Sequence, residues 1–233
     1  MKTIGLLGGM SWESTAIYYR LLNEGVRARL GGLHSAKLVL VSVDFAGIAE
    51  LQHAGDWQGA GRLLAAAARQ LEAAGVECLV ICTNTMHKLA GEIEAAVSIP
   101  LLHIADANAD AIRRSGAKRP ALLATRFTME QDFYRQRLAE CHGIDVAVPD
   151  EAGRTKVHDI IYDELCRGTV TSDSKAVYLK EIARLRAEEG ADGVIMGCTE
   201  ITMLIGQSDF DIPVFDTTAI HAEAAIAFAL GDA

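Results

Sequence analysis

Two cysteines stand at matching points of the chain, each directly after a short apolar run. Cys82 follows Leu79-Val80-Ile81, Cys198 follows Val194-Ile195-Met196-Gly197, and a threonine comes next in both places. A cysteine donates a proton as a thiol and accepts one as a thiolate, so two matched cysteines can carry proton-transfer chemistry. A run of this kind is typical of a buried strand that ends at a polar loop. Cys82 and Cys198 are therefore the candidate catalytic residues.

The chain carries an internal repeat. Cys82 and Cys198 are 116 residues apart, and the same offset carries residues 5–10 onto residues 121–126. Because this period is about half of the chain, it indicates a duplicated domain rather than a solenoid. We expect the function to lie where the two halves face each other.

Composition bounds the class of protein. The chain has 233 residues, of which 50% are hydrophobic and 23% charged, as in an ordinary globular protein. Its formal net charge of −9 argues against nucleic-acid binding. No run approaches the roughly 18 to 20 apolar residues of a membrane helix, and the apolar run at the N-terminus is too short for a signal peptide. We therefore expect a soluble, cytoplasmic protein with no membrane or nucleic-acid partner.

Cysteine usage predicts reduced thiols. Five cysteines, an odd number without an export signal, do not indicate a disulfide framework. Cys78, Cys141 and Cys166 lie within strand or helix patterns and are expected to be buried, small hydrophobic side chains. Cys82 and Cys198 differ from them because each stands where a strand gives way to a helix.

Strand-like and helix-like segments alternate along the whole chain, which predicts parallel sheets with helical crossovers. The fold class is α/β, with two pseudosymmetric parallel-sheet domains and the active site in the cleft between them. We expect an N-terminal domain of residues 1–100 plus 215–233 and a C-terminal domain of residues 101–214.

Some local predictions bear on the position of the site. The sequence indicates an irregular polar segment at residues 44–57, helices at residues 85–97, 129–141 and 155–166, and short strands at residues 100–104 and 144–148. In open α/β sheets, ligands bind beyond the carboxyl ends of the strands. Four loops should therefore line one cleft: residues 8–11, 82–85, 125–128 and 198–200.

The helices that follow the two cysteines suggest a way to ionise the thiols. A helix N-terminus stabilises a negative charge by about 0.3–1 kcal/mol, and at most about 2 kcal/mol. Since one pKa unit corresponds to about 1.4 kcal/mol, the thiol pKa would fall from about 8.5 toward about 7. One thiol and one thiolate would then coexist at neutral pH.

Other kinds of site fit the residues less well. Cys78 and Cys82 lack a second ligand pair at zinc spacing, and His87 and His103 follow no metal-binding pattern. The glycines at the first loop, Gly5-x-x-Gly8-Gly9, do not complete a dinucleotide fingerprint. Two matched acid/base groups instead suit a reaction that removes a proton from one face of a carbon and returns one to the other, which is racemisation or epimerisation.

Several motifs together resemble the aspartate/glutamate racemase family. They are Cys82-Thr83-Asn84-Thr85, Gly197-Cys198-Thr199-Glu200, the opening Gly8-Gly9-Met10 and the closing Ile212-Pro213-Val214-Phe215-Asp216. The resemblance covers the whole chain and is closest to the aspartate racemase branch and the bacterial broad-specificity amino-acid racemases. The Asp-Ser-Gly opening of cell-wall glutamate racemases is missing, which argues against a role in peptidoglycan synthesis.

The resemblance implies a homodimeric enzyme that interconverts L- and D-amino acids by a two-base mechanism, without cofactor or metal, with aspartate or glutamate as first candidates. Cys82 and Cys198 would be the two bases. Each sulfur must approach one Cα to about 3–3.5 Å from opposite sides, so the sulfurs should lie about 6–8 Å apart. The implied substrate-binding residues are Met10, Gln52, Thr83, Asn84, Thr85, Thr128, Thr199 and Glu200. For the side-chain carboxylate of the substrate the chain offers Arg167 or Lys156.

Alternatives remain within and outside this superfamily. It also contains hydantoin racemases, decarboxylases that work with one cysteine, and maleate isomerases that use one cysteine as a nucleophile. The presence of both cysteines favours proton transfer on two faces. A protein that binds amino acids without catalysis is the alternative from another class.

Overall fold

The computed structural model describes residues 1–231 and divides into two compact units. Unit 1 comprises Met1–Ile104 and the chain from His221 onward, and unit 2 comprises Ala105–Ile220. The domain boundaries expected from the sequence lie a few residues earlier and stay a prediction. Residues 232 and 233 of the expected N-terminal domain lie outside the described residues.

Unit 1 is built on a parallel three-stranded sheet with the strand order β2-β1-β3. Its elements are β1 (Ile4–Gly8), α1 (Trp12–Leu30), β2 (Leu38–Ser42), α2 (Phe45–Ala54), α3 (Trp57–Ala73), β3 (Cys78–Ile81), a 3-10 turn (Thr85–Leu89) and α4 (Ala90–Glu94). An isolated bridge pairs Leu79 of β3 with Leu101.

Unit 2 is built on a second parallel sheet, with the order β4-β5-β6. The remaining elements are α5 (Ile104–Ser115), β4 (Ala121–Leu123), α6 (Arg126–Glu130), α7 (Asp132–His142), α8 (Glu151–Asp159), a π turn (Ile160–Glu164), 3-10 turns (Leu165–Arg167, Thr199–Met203 and Gln207–Asp209), α9 (Ser172–Glu189), β5 (Val194–Met196), β6 (Val214–Asp216) and α10 (Thr217–Leu230), which runs on into unit 1. The α/β fold with two parallel sheets is confirmed.

Strands β1 and β3 of unit 1 bury both of their faces. Side chains alternate along a strand, so successive residues of β3 pack into different clusters. Leu79 and Ile81 pack in a cluster with residues of α3, whereas Cys78 and Val80 pack in a cluster with residues of α1 and α10. Cys82 continues this alternation and joins the second cluster. The strand period therefore directs the Cys82 thiol toward α1 and α10.

Six local predictions need correction. Residues 45–54 form α2, because Asp44 caps the helix by accepting from the Ala46 N–H at 3.2 Å; polar residues had hidden the helical period. The expected helix at 85–97 is a 3-10 turn followed by α4, which ends at Glu94. Beyond α4, the Ser98 hydroxyl donates to the Glu72 carboxylate at 2.6 Å.

In unit 2, the expected helix at 129–141 is interrupted at Gln131, which has an extended backbone (φ −88°, ψ 144°). The expected helix at 155–166 begins earlier, at Glu151, because Asp150 caps it, and it changes to a π turn at Ile160. The expected strands at 100–104 and 144–148 form only single bridges, at Leu101 and Ala147.

Glycine is required at two positions beside the strand ends. Gly9 has φ +91°, and a Cβ there would lie 2.2 Å from the Val43 carbonyl oxygen. A Cβ at Gly197 would lie 2.8 Å from the Ala124 Cβ. Both contacts are too close for a side chain, so these glycines let the backbones of neighbouring segments approach each other.

Substitution of Gly9 should be costly. Gly9→Ala combines a left-handed backbone with a clash against backbone atoms, so we expect the free energy of unfolding to fall by about 2–4 kcal/mol. Gly47→Ala is the control: Gly47 lies in α2 with nothing within 4 Å of the added Cβ. It should leave stability unchanged or raise it by up to about 1 kcal/mol. Chemical denaturation measures both, and a loss below about 0.5 kcal/mol for Gly9→Ala contradicts the argument.

Candidate active site

The backbone around Cys82 is held by neighbouring elements. The Cys82 N–H donates to the Leu7 carbonyl of β1 at 3.0 Å. The Ser14 hydroxyl, on the first turn of α1, donates to the Cys82 carbonyl at 2.9 Å. The Ser14 N–H in turn donates to the Ser11 hydroxyl at 3.3 Å, which caps α1. The loop after β1 and the loop after β3 are thereby joined, as expected for neighbouring parallel strands.

The Cys82 thiol is fully buried. Its Sγ lies 3.8 Å from the Val80 carbonyl oxygen, a long hydrogen bond. Burial raises the pKa of the Cys82 thiol, because the thiolate loses its hydration. The expectation of a lowered pKa was wrong. The segment after Cys82 is a five-residue 3-10 turn that begins at Thr85, so no long helix points its N-terminus at the sulfur.

The other candidate residues of unit 1 differ in their burial. Asn84 is buried, and Thr83 and Thr85 are half-buried beside it. Gln52 is 8% exposed on α2, which the sequence analysis had read as irregular. Met10 is 5% exposed and belongs to the hydrophobic cluster on the α3 side of the sheet.

One residue beside Cys82 was missed. His87 is 2% exposed, and its Nδ1 lies 2.8 Å from the Thr83 carbonyl oxygen. Its Nε2 accepts from the Ile104 N–H at 3.2 Å. The available signal was the placement of a histidine four residues after Thr83, where its ring can reach back to that carbonyl.

The second cysteine occupies the matching place in unit 2. Cys198 follows β5 after Gly197, whose N–H donates to the Leu123 carbonyl of β4 at 2.8 Å. The Cys198 Sγ donates to Glu200 Oε2 at 2.8 Å, and the Thr199 hydroxyl donates to the same oxygen at 2.8 Å. Three candidate residues are thus joined by a single carboxylate oxygen.

The pKa of the Cys198 thiol is raised well above its ordinary value. Burial is the first cause, and the negative charge of Glu200 together with the hydrogen bond to it is the second. Here, too, the expected lowering by a helix was wrong, because the turn that follows, Thr199–Met203, is short and its first turn carries a carboxylate.

The pKa values of two tyrosines depend on Cys198 as well as on burial. Burial raises the pKa of Tyr162 to about 12, and Cys198 adds to the rise. The pKa of Tyr178 is also raised by burial and by Cys198, and its hydroxyl donates to the Val157 carbonyl at 3.1 Å. Tyr162 belongs to the π turn, a rare local structure that often occurs at functional sites.

Cations in unit 2 differ in their surroundings. Arg167 is exposed and pairs with Asp163 at 3.5 Å, and Lys156 is exposed on α8. Arg126, which the sequence analysis did not single out, is the first residue of α6. It follows β4, whose last residue Leu123 is paired with the last residue of β5. The backbone of Arg126 therefore lies near the same sheet edge as Cys198, and its guanidinium donates to the Thr155 hydroxyl of α8 at 3.1 Å.

Thr128 lies in the same loop after β4. It is fully buried, and its hydroxyl lies 3.4 Å from the Thr125 hydroxyl. Unit 1 therefore groups Cys82, Asn84 and their neighbours at the ends of β1 and β3, and unit 2 groups Thr128 and the Cys198 turn at the ends of β4 and β5.

The remaining cysteines and the search for metal ligands bear on other chemistries. In the described part of the chain, none of the five cysteines is part of a disulfide. Cys78 is buried as expected, but Cys141 and Cys166 are exposed, because each lies at the exposed end of its helical segment. Residues 1–231 contain no cluster of three or more metal-ligating side chains. None of the helices in this part of the chain has the length and apolar character needed to cross a bilayer.

Similar proteins point to one family. The model of the Asp/Glu/Hydantoin racemase family matches residues 7–225. A structure from Yersinia pestis, assigned to the Asp/Glu racemases, is 56% identical, with a TM-score of 0.95 over 99% of this chain and 100% of that chain. An aspartate racemase homologue from Pyrococcus horikoshii OT3 is 34% identical, with a TM-score of 0.88 over 99% of this chain and 100% of that chain.

A functionally named relative is more distant. The broad specificity amino-acid racemase RacX of Bacillus subtilis is 25% identical over 160 residues, which are 67% of this chain and 66% of that protein. The match thus spans just under two thirds of that relative's length.

The two parallel sheets and the two turns that carry Cys82 and Cys198 together define an α/β protein of the racemase type. The chain belongs to the Asp/Glu/hydantoin racemase family, as the resemblance implied. The expected class of enzyme, an isomerase that acts as a racemase, is confirmed.

The hydrogen bond between Cys198 and Glu200 leads to a test of thiol reactivity. Glu200→Gln removes a negative charge beside the sulfur, so the pKa of Cys198 should fall, although burial still holds it above that of an ordinary cysteine. We expect faster alkylation of Cys198 by iodoacetamide at mildly alkaline pH. Mass spectrometry of the modified peptide over a pH series measures the change.

The control for this test is Glu188→Gln, which removes an exposed carboxylate that pairs with Arg184 on α9. It should leave the alkylation rate of Cys198 unchanged. An unchanged or slower rate in Glu200→Gln means that the carboxylate does not control this thiol.

Proposed function

We propose that this protein is a racemase of amino acids that uses Cys82 and Cys198 as its two bases and needs no cofactor. The observation that carries the proposal is the matched position of the two thiols. Each follows a parallel strand, β3 or β5, that pairs with the first strand of its unit, β1 or β4. A duplicated strand-to-turn junction with a thiol at each copy suits a reaction that treats two faces of one carbon alike.

The proposed reaction moves two protons. One cysteine, as thiolate, removes the Cα proton and leaves a carbanion stabilised by the substrate carboxylate. The other cysteine, as thiol, gives its proton to the opposite face and becomes the thiolate. For this the two turns act on one substrate in a cleft between the two domains, and the sulfurs lie about 6–8 Å apart when the substrate is bound.

Glu200 makes the two bases unequal. At the repeat position 116 residues earlier the chain has Asn84, an amide that cannot take a proton at neutral pH. The Cys198 thiol donates to Glu200 Oε2, and the negative charge beside the sulfur favours the protonated form of Cys198. In the proposed cycle Cys82, as thiolate, removes the Cα proton of one enantiomer, and Cys198, as thiol, donates its proton to the opposite face. The enzyme then holds a Cys82 thiol and a Cys198 thiolate, which is the state that acts on the opposite enantiomer.

The substrate carboxylate is bound by polar groups of the turns. Thr83, Asn84 and Thr85 supply hydroxyl, amide and backbone donors beside Cys82, and Thr128 and Thr199 supply hydroxyls beside Cys198. Gln52 and Met10 complete the list of proposed contacts. Glu200, expected among the substrate-binding residues, lies beside Cys198 and stays a proposed contact of the substrate.

Arg126 is the proposed partner for an acidic substrate side chain. Its backbone lies near the sheet edge that bears Cys198, and its guanidinium donates to a neutral hydroxyl, that of Thr155. Arg167, by contrast, already faces the carboxylate of Asp163. Arginine binds a carboxylate through two parallel hydrogen bonds, so this position favours aspartate or glutamate over a neutral amino acid.

Several finer points belong to the same proposal. The enzyme works as a homodimer in the cytoplasm, which sedimentation and cell fractionation test. A hydantoin racemase, a maleate isomerase or a decarboxylase of this superfamily is the nearest alternative, and an amino-acid-binding protein without catalysis is the next.

Loss of either thiol should abolish racemisation. Cys82→Ser and Cys198→Ser should each lower the rate by at least about 10³-fold, because a serine hydroxyl is a far weaker acid than a thiol and does not ionise to act as a base near neutral pH. Each variant keeps one base, so it should still exchange the Cα proton of one enantiomer without inverting it, and the two variants should prefer opposite enantiomers. Proton NMR in deuterated water, combined with chiral chromatography, measures exchange and inversion separately.

Cys141→Ser is the matched control, because Cys141 is an exposed thiol at the end of α7. It should keep wild-type activity. Absence of exchange by the wild-type protein with every amino acid under reducing conditions overturns the proposal, and hydantoins, maleate and binding without turnover are then tested. Full racemisation by either single variant overturns the two-base mechanism.

The role of Arg126 is tested by substrate choice. Arg126→Gln should raise the KM for aspartate or glutamate by about 10- to 100-fold, the value of one charged hydrogen-bonded pair. The KM for a neutral amino acid should change little. Arg167→Gln and Lys156→Gln are the comparison variants, and a larger effect in either of them assigns the side-chain carboxylate to that residue instead.

A further inference from the structure

His87 forms two hydrogen bonds with opposite requirements. Its Nε2 faces the backbone N–H of Ile104 at 3.2 Å, so this nitrogen must accept. Its Nδ1 faces the carbonyl oxygen of Thr83 at 2.8 Å, so this nitrogen must donate. Both bonds are satisfied only by the neutral ring with its hydrogen on Nδ1.

The surroundings of His87 favour this neutral ring. Burial lowers the pKa of His87 well below its usual value, and His103 and His221 lower it further. The His103 ring lies 4.6 Å and the His221 ring 5.5 Å from that of His87, measured between ring centroids. Tyr18 completes the group, with its hydroxyl 2.8 Å from His221 Nδ1.

His87 connects two segments of unit 1, the turn after Cys82 and the residue that begins α5. Thr83 directly follows Cys82, whose own N–H and carbonyl are held by Leu7 and Ser14. The bond from His87 therefore fixes the next carbonyl in the same turn. Ile104 is the last residue of unit 1 before the chain enters unit 2, and it begins α5.

The bond to Ile104 also satisfies a backbone group that a helix leaves open. The first N–H groups of a helix have no partner within the helix. His87 Nε2 accepts from the first of them in α5. One buried ring thus caps α5 and fixes the turn that carries Cys82.

We propose that His87, as the Nδ1–H tautomer, is a positioning residue that holds the Cys82 turn in register for proton transfer. The proposal rests on the racemase function proposed above. His87 does not touch the substrate or exchange a proton with it. The Nδ1 bond to Thr83 keeps the Cys82 sulfur in line with Cα, and a displacement of about 1 Å at a reacting group can cost about 100-fold in rate.

Two amide substitutions separate the two bonds of His87. The amide of asparagine reaches about as far as Nδ1, so His87→Asn keeps a donor for the Thr83 carbonyl and loses the acceptor for Ile104. The amide of glutamine reaches about as far as Nε2, so His87→Gln keeps an acceptor for Ile104 and loses the donor for Thr83. The two variants are uncharged and differ by one methylene, and so each is the control for the other.

The expected result is a difference in kcat. His87→Gln should lower kcat by about 10- to 100-fold with KM within about threefold of wild type. His87→Asn should keep kcat within about threefold of wild type. The shape of the pH profile should be the same in all three proteins, because the ring stays uncharged where the enzyme works. Equal kcat losses in both variants, or a changed pH profile, overturn the proposal. So does a loss in His87→Gln that merely follows the folded fraction measured by circular dichroism.

A second measurement needs no activity. Long-range 15N–1H NMR of the labelled wild-type protein reports which ring nitrogen of each histidine carries hydrogen. We expect Nδ1–H for His87, with its signals lost in both variants. The Nε2–H tautomer, or a charged ring at neutral pH, overturns the proposal. A wild-type protein that shows the Nδ1–H tautomer but no turnover refutes the racemase function and, with it, a role of His87 in positioning Cys82.

Discussion

Desolvation of the two thiols is the constraint on which the rest of the site depends. Cys82 is fully buried, and burial is the first cause of the raised pKa of both Cys82 and Cys198. A helix N-terminus contributes about 0.3–1 kcal/mol, whereas full burial shifts a pKa by up to about 3–5 units, each worth about 1.4 kcal/mol. Burial therefore dominates. Proton transfer at either sulfur requires a specific partner rather than a generally lowered pKa.

The two turns meet this requirement with different side chains. Beside Cys198 the partner is a carboxylate, and Glu200 Oε2 accepts from both the thiol and the Thr199 hydroxyl. Beside Cys82 the equivalent side chain is an amide, and the neighbouring carbonyls accept from Ser14 and His87. In unit 2 a charge faces the sulfur directly, whereas in unit 1 neutral groups fix the backbone that carries it.

Most of the fold and both thiols were predictable from sequence, because strand periodicity is a local signal. The apolar run at residues 79–81 predicts a buried strand, and the repeat identifies its partner in the other half. The segment 45–54 was read wrongly, since Gln52 and His53 interrupt its apolar period while Asp44 supplies the cap. The role of His87 could not be predicted, because Ile104 meets it only through a contact between segments 17 residues apart.

The pKa prediction failed for a related reason. It treated the segment after each cysteine as a long helix, whereas both segments are five-residue 3-10 turns. The spacing of apolar residues cannot distinguish a long helix from a 3-10 turn here, because one turn is too short to show a period. At Cys198 the difference is larger still, since the negative charge of Glu200 also raises the pKa of the thiol.

Duplication accounts for what the halves share, and divergence accounts for what they do differently. The strand-to-turn junctions agree because a parallel strand that ends at a sheet edge constrains the backbone, as Gly197 and the Cys82 N–H bond to Leu7 illustrate. The side chains two and five residues after each of the two cysteines are not limited by that constraint. There the chain has Asn84 and His87 in one half and Glu200 and Met203 in the other. A racemase must act on mirror-image substrates, yet its own residues are all of one hand, so under the proposed mechanism the two cysteines need equivalent positions but not identical partners.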